Sequence, residues 1–167
     1  MQTTDLSSTL ALLFAELVKG APEGGAFVLN SGDAGLLRSL EKLSAADASR
    51  SVNEGATLAA HARHLQYGLS LLNRWAREGG NPFADATWDE AWKTSHIDDE
   101  EWRSIRDGLA QECDRWLYAL GSPREVSAVE LAGMIGSVAH LAYHLGATRQ
   151  IARAARGPTE GTFDATR

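Results

Sequence analysis

Apolar residues in this chain recur every three or four positions, segment after segment, and almost never at every second one. Leu6, Leu10, Leu13 and Leu17 form one such row, and Leu58, Ala62, Leu65, Leu69, Leu72 and Ala76 form a longer one. A third row reads Trp102, Ile105, Leu109, Cys113, Trp116 and Leu120, and a fourth Leu131, Ile135, Val138, Ala142 and Leu145. That spacing puts each row on one side of an α-helix, whereas a half-buried strand needs a period of two. No Val- or Ile-rich alternating stretch offers a strand, and no repeat of a few tens of residues suggests a solenoid. Four amphipathic helices bury such rows against one another. The predicted fold is all-α, a four-helix bundle with a long crossover connection and short extra helices.

Capping residues and breakers set the expected boundaries. Thr4 or Asp5 can cap the first helix, and Gly20 and Pro22 end it. After a glycine-bearing loop, a short helix is predicted from about Gly35 to Leu43, followed by a single turn opened by Ser44 and Asp47 as a capping box. The second long helix is predicted from about Glu54 to Glu78, where Gly79, Gly80, Asn81 and Pro82 stop it. The stretch from Phe83 to Ile97 is too long for a hairpin turn. It reads as the crossover, with Trp88 and Trp92 at helical spacing inside a short helix. The acidic run Asp98 to Glu101 suits the positive end of a third long helix, closed by Gly121. Two boxes can open the last helix, one at Ser122 with Pro123 and Glu125, the other at Ser127 with Glu130. Val126 suits an extended entry and favours Ser127; the helix is expected to reach about Arg156. One domain over residues 1–156 results, with a polar, mobile tail over 157–167.

Four of the five histidines fall on two of these helices. Beside the apolar seam, the second long helix carries the row Thr57, His61, His64, Gly68, and the last helix carries Ser137, His140, His144, Thr148. Side chains pointing inward from facing helices are how bundles build metal sites. His140 and His144, one turn apart, supply half of a transition-metal site, and His61 or His64 can add a third nitrogen. A lone histidine on an amphipathic helix is most often a satisfied core residue; two paired clusters argue for more. Three neutral imidazoles leave a divalent ion with an open position, as in catalytic zinc sites, whereas structural zinc is closed by four ligands and rich in Cys. Such an ion brings a bound water toward a pKa of roughly 7 or holds a thiolate. Zinc or nickel suits the ligand set. The rows leave Thr57, Gly68, Ser137 and Thr148 to line a substrate pocket, although Gly133 and Gly136, just before His140, read more simply as sites of close helix packing.

The same residues carry a family resemblance. His140, His144, Gly146 and Arg149, with Gln150 and Ile151, form an H-x-x-x-H-x-G-x-x-R pattern that resembles the last core helix of the DinB/YfiT-like proteins. Ala62, Arg63, His64 and Leu65 are similar to the family's A-x-H-L segment, which bears the third ligand. The likeness extends from the first helix to Arg153, though only these two short motifs are specific. It implies a helical bundle whose metal ligands are His64, His140 and His144, with His61 as a neighbour that hydrogen-bonds or shapes the pocket. Thiol-dependent relatives imply a metal-dependent transferase using a low-molecular-weight thiol; hydrolysis of a small molecule is the other enzymatic reading. A thiolate held on the ion needs no further deprotonation, which suits a chain whose spacing reveals no carboxylate base. The non-enzymatic alternative is a metal-binding or stress-associated helical protein. Assembly as a homodimer is compatible with either.

Other classes are disfavoured. Sixteen Lys and Arg are scattered among 22 acids for a net charge of -6, so no basic patch serves a nucleic acid. Asp5 and Glu16 interrupt the apolar part of the N-terminal segment, which lacks the basic start of a signal peptide, and no apolar run is long enough to span a membrane. A single cysteine, Cys113, forms no internal disulfide and suits a reducing cytoplasm. It lies in an apolar row near Trp116, the place of a buried structural thiol. Leu141 follows His140, so the H-E-x-x-H of zinc peptidases is missing, and neither cluster has the Glu-x-x-His of di-iron bundles. His96 reads as a solvated loop residue, and the five tryptophans as core and boundary fillers.

Overall fold

The computed structural model describes residues 3–158, and among them every regular element is a helix. Seven α-helices follow in order: α1 (Thr3–Lys19), α2 (Gly35–Glu41), α3 (Ala45–Ala48), α4 (Leu58–Glu78), α5 (Trp88–Trp92), α6 (Asp99–Gly121) and α7 (Ala128–Ile151). A 3₁₀ turn at Arg153–Ala155 closes the described chain.

The local signals act where their chemistry requires. Ser44, Asp98 and Ser127 each accept a hydrogen bond from the backbone three residues on, and Asp47, Glu101 and Glu130 reach back to complete three capping boxes. Several predicted boundaries move, and α1 already begins at Thr3, so Thr4 and Asp5 lie inside the helix instead of capping it. α4 starts at Leu58 rather than near Glu54, because Asn53 and Glu54 adopt positive φ of 53° and 58° and the Thr57 hydroxyl caps the helix through Ala60 N. α7 stops at Ile151 rather than near Arg156, because Ala152 turns extended before the 3₁₀ turn. Of the expected mobile tail, residues 159–167 lie outside the described residues. Gly157 instead sits against Asp33, so closely that a Cβ there would fall 2.5 Å from Oδ2.

The long helices α1, α4, α6 and α7 carry the core, and each packs on two of the others. Their pairings give directions. Arg63 meets Glu101 and Asn73 meets Glu112, so α4 and α6 run parallel. His61 meets His144, His64 meets His140, and Trp75 lies over Gly133, so α4 and α7 run antiparallel. Ser7 donates to the Leu120 carbonyl near the far end of α6, which sets α1 antiparallel to α6. The parallel α4–α6 pair demands the crossover that holds α5.

Leu10, Phe14, Leu17, Leu58, Leu65, Leu69, Leu109, Cys113, Trp116, Leu120, Leu141 and Leu145 form one continuous apolar cluster. The predicted row on α7 is rotated. Of that row Leu145 is buried and Leu131, Val138 and Ala142 pack against the core at its edge, but Ile135 is 50% exposed, and the centre of the buried face is Met134, Ser137, Leu141, His144, Leu145 and Thr148. Apolar residues surround α7 on all sides, so periodicity alone could not say which side turns inward.

A three-histidine cluster under two tryptophans

The site begins with two caps. Thr57 sets the first turn of α4, and the Ser127–Glu130 box sets that of α7, which fixes the register of each helix before any histidine appears. The antiparallel ladder then matches His61 with His144 and His64 with His140 across the α4–α7 seam. His61, His64 and His144 are buried, and His140 lies at the exposed rim.

Three Nε2 atoms converge. His140 Nε2 is 3.2 Å from that of His64 and 2.9 Å from that of His144. A tetrahedral ion with metal–nitrogen bonds of roughly 2.0–2.1 Å needs its ligand nitrogens about 3.3 Å apart. Among the described residues, His64, His140 and His144 alone form a group of His, Cys, Asp or Glu atoms close enough to hold an ion. His61 is turned differently: its Nδ1 lies 2.8 Å from Nδ1 of His144, behind the converging nitrogens.

Electrostatics keep these rings neutral. Burial, then the neighbouring imidazoles of His140 and His61, lowers His64 to about 4; burial, then the other three imidazoles, lowers His144 to about 3. Burial also lowers His61 and His140. Metal binding requires neutral imidazole, so the cluster presents lone pairs near neutral pH. It is also an awkward arrangement without a cation, because His140 Nε2 offers either one N–H or one lone pair and cannot serve the Nε2 atoms of both His64 and His144 with a full hydrogen bond.

Two tryptophans wall the cluster, a role the sequence reading did not assign them. The Trp92 ring stacks on His64 at 4.4 Å between centroids and meets His61 edge-on at 5.3 Å, while Trp88 lies 5.5 Å from His64. Both belong to α5 in the crossover and both remain more than a third exposed. Side-chain hydrogen bonds tie the crossover down along its length: Arg74 donates to the Pro82 carbonyl, Tyr67 Oη accepts from Thr87 N, Thr57 Oγ1 donates to the Thr94 carbonyl, and Ser49 Oγ accepts from Ile97 N. The signal was present in the one-turn spacing of Trp88 and Trp92, but nothing local says which surface that pair covers.

The expected pocket residues divide. Gly68 and Ser137 line a cleft of about 240 Å³ between α4 and α7, with His140 among its walls. Thr57 and Thr148 do not line it. The Thr57 hydroxyl is engaged as the α4 cap and as the tie to Thr94, and Thr148 is buried one turn beyond His144. Ser137 is also committed, accepting from Trp116 Nε1 and donating to the Met134 carbonyl. The glycines split likewise. A Cβ on Gly133 would stand 2.7 Å from the Trp75 ring, the close packing expected there, whereas one on Gly136 would meet nothing within 4 Å.

Cys113 is 1% exposed, and burial, then the neighbouring Asp114 and Glu112, pushes its thiol up to about 12. It is a core side chain, remote in character from a nucleophile. His96 is exposed in the crossover. No helix of the described residues is long and apolar enough to cross a membrane. Comparison of the chain with protein-family models, with curated proteins and with solved structures finds no match.

Proposed function

We propose that this chain is a DinB/YfiT-like four-helix bundle that binds one divalent ion through His64, His140 and His144 and acts as a metal-dependent transferase or hydrolase on a small molecule. The observation that carries the reading is the mutual approach of three Nε2 atoms at 2.9 and 3.2 Å, near the spacing of a tetrahedral ligand set. The crossover between the parallel helices α4 and α6 supports the bundle assignment.

His61 acts on the ligand His144. When the Nδ1–H of His144 donates to His61 Nδ1, the Nε2 of His144 is left with its lone pair turned to the ion. Trp92 fixes the plane of the His64 ring by stacking and keeps water from that side. A divalent ion held by three imidazoles supplies Lewis acidity at an open position, suited to activating a water or to holding a thiolate. No carboxylate joins the histidine group, which favours the thiol, since a thiolate needs no further general base. Zinc or nickel is the expected metal.

Elemental analysis of protein purified without chelators is expected to give close to one zinc or nickel per chain, and His144→Ala to bring it near zero while the far-ultraviolet helix signal persists. Cobalt-substituted protein is expected to change its visible spectrum on adding a small thiol. Undiminished metal in His144→Ala would overturn the ligand set. A cobalt spectrum indifferent to thiols and small anions would remove the enzymatic reading and leave a non-catalytic metal protein.

A further inference from the structure

The cleft beside the histidines carries no charged side chain. Its walls are Leu65, Leu69, Leu72, Phe83 and Trp88, with His140 among them, and its other polar group, Ser137, spends its hydroxyl on Trp116 and Met134. Two glycines leave room in it: Gly68 faces the Trp88 ring at ordinary contact distance, and Gly136 faces open space. Gly136 is thus not required by packing among the described residues, although glycine in a helix interior costs about 1 kcal/mol relative to alanine. An apolar cavity of about 150 Å³ accommodates benzene, and this one measures about 240 Å³. A charged or strongly polar group would lose its hydration there without gaining a partner.

We infer that the cleft receives the uncharged, apolar arm of the substrate, of the size of one six-membered ring or a short alkyl chain, while the substrate's polar reacting group faces the histidine group at His140. This specificity rests on the metal-site reading above, and it assigns the polar thiol to the ion and the apolar cleft to the acceptor molecule. Trp88 and Phe83 on the crossover then select for shape, and α4 and α7 provide the floor.

The test compares two hydroxamates on cobalt-loaded protein, titrated by the visible spectrum. Benzohydroxamate is expected to bind about tenfold or more tightly than acetohydroxamate, from the area its ring removes from water. In Gly136→Leu, which adds a leucine to the cleft wall, that preference is expected to shrink to about twofold or less, with acetohydroxamate affinity and cobalt content unchanged. Equal affinity for the two probes in the unmodified protein, or a preference that survives Gly136→Leu, overturns the proposal. Saturation-transfer NMR with toluene on metal-free protein separates the two readings. If cobalt fails to bind, the metal site falls by itself, and the cleft stands or falls on whether Gly136→Leu abolishes the toluene signal.

Discussion

The two sides of this helical array are built on opposite rules. Where α1 meets α6, Leu10, Phe14, Leu17, Leu109, Cys113, Trp116 and Leu120 fill the interior, each no more than 5% exposed. Where α4 meets α7, four imidazoles stand within contact of one another, a cleft opens beside them, and two half-exposed tryptophans cover them. The first face buries apolar area and holds its single thiol far from reactivity. The second buries polar rings that are costly to desolvate, and it leaves space unfilled. Close-packed apolar surface stabilises a domain, while converging polar groups beside a gap supply chemistry. The difference teaches that stability and the candidate site are assigned to different helix pairs, although both rest on the same four rods.

The division can be broken most forcefully from the packed side. Leu109→Ala is expected to cost about 2–5 kcal/mol in urea unfolding while metal content per folded chain stays constant. Metal lost in proportion to stability would mean that the two faces are not separable.

On the other side, His61→Ala is expected to weaken zinc binding about 10–100-fold, roughly 1.4–2.7 kcal/mol, by removing the hydrogen bond that orients His144. His61→Gln, which can still accept that bond, is expected to recover part of the loss. A chelator competition that finds His61→Ala as tight as the unmodified protein would assign His61 to packing alone.

A further effect is a pH dependence that begins on the polar face. The folded-state pKa of each cluster histidine is depressed, to about 3 for His144 and about 4 for His64. The unfolded chain therefore takes up protons first, starting near 6.5. Stability of the metal-free protein is then fully present above that value and falls as pH drops from 6.5 toward 4, the slope growing with each histidine held neutral. Glu16 acts only lower. Its burial raises its pKa, but the Phe27, Leu29 and Val28 amides together bring it below the usual carboxylate value, so its contribution is lost only as pH falls through that depressed value. Urea midpoints that coincide at pH 7.5 and pH 5 would show that the imidazoles are not held neutral by burial.

The sequence by itself determined the elements and the ligand candidates. Periods of three and four residues, the boxes at Ser44 and Ser127, and the breakers after Glu78 act over a few residues, so the chain's local chemistry suffices to place them. The one-turn step from His140 to His144 is likewise a property of any helix. Tertiary structure decided the rest. Helix geometry left His61 and His64 as equal candidates; the antiparallel register of α4 on α7 turned His64 Nε2 toward His140 and set His61 behind His144. Apolar residues all round α7 concealed that Ile135 faces solvent and Leu141 the core, because only a packed neighbour distinguishes the sides of such a helix. Trp88 and Trp92 became walls of the site only because the crossover between two parallel helices carries α5 onto the histidines of α4. Such placements depend on contacts between residues far apart in the chain, and no local pattern encodes them.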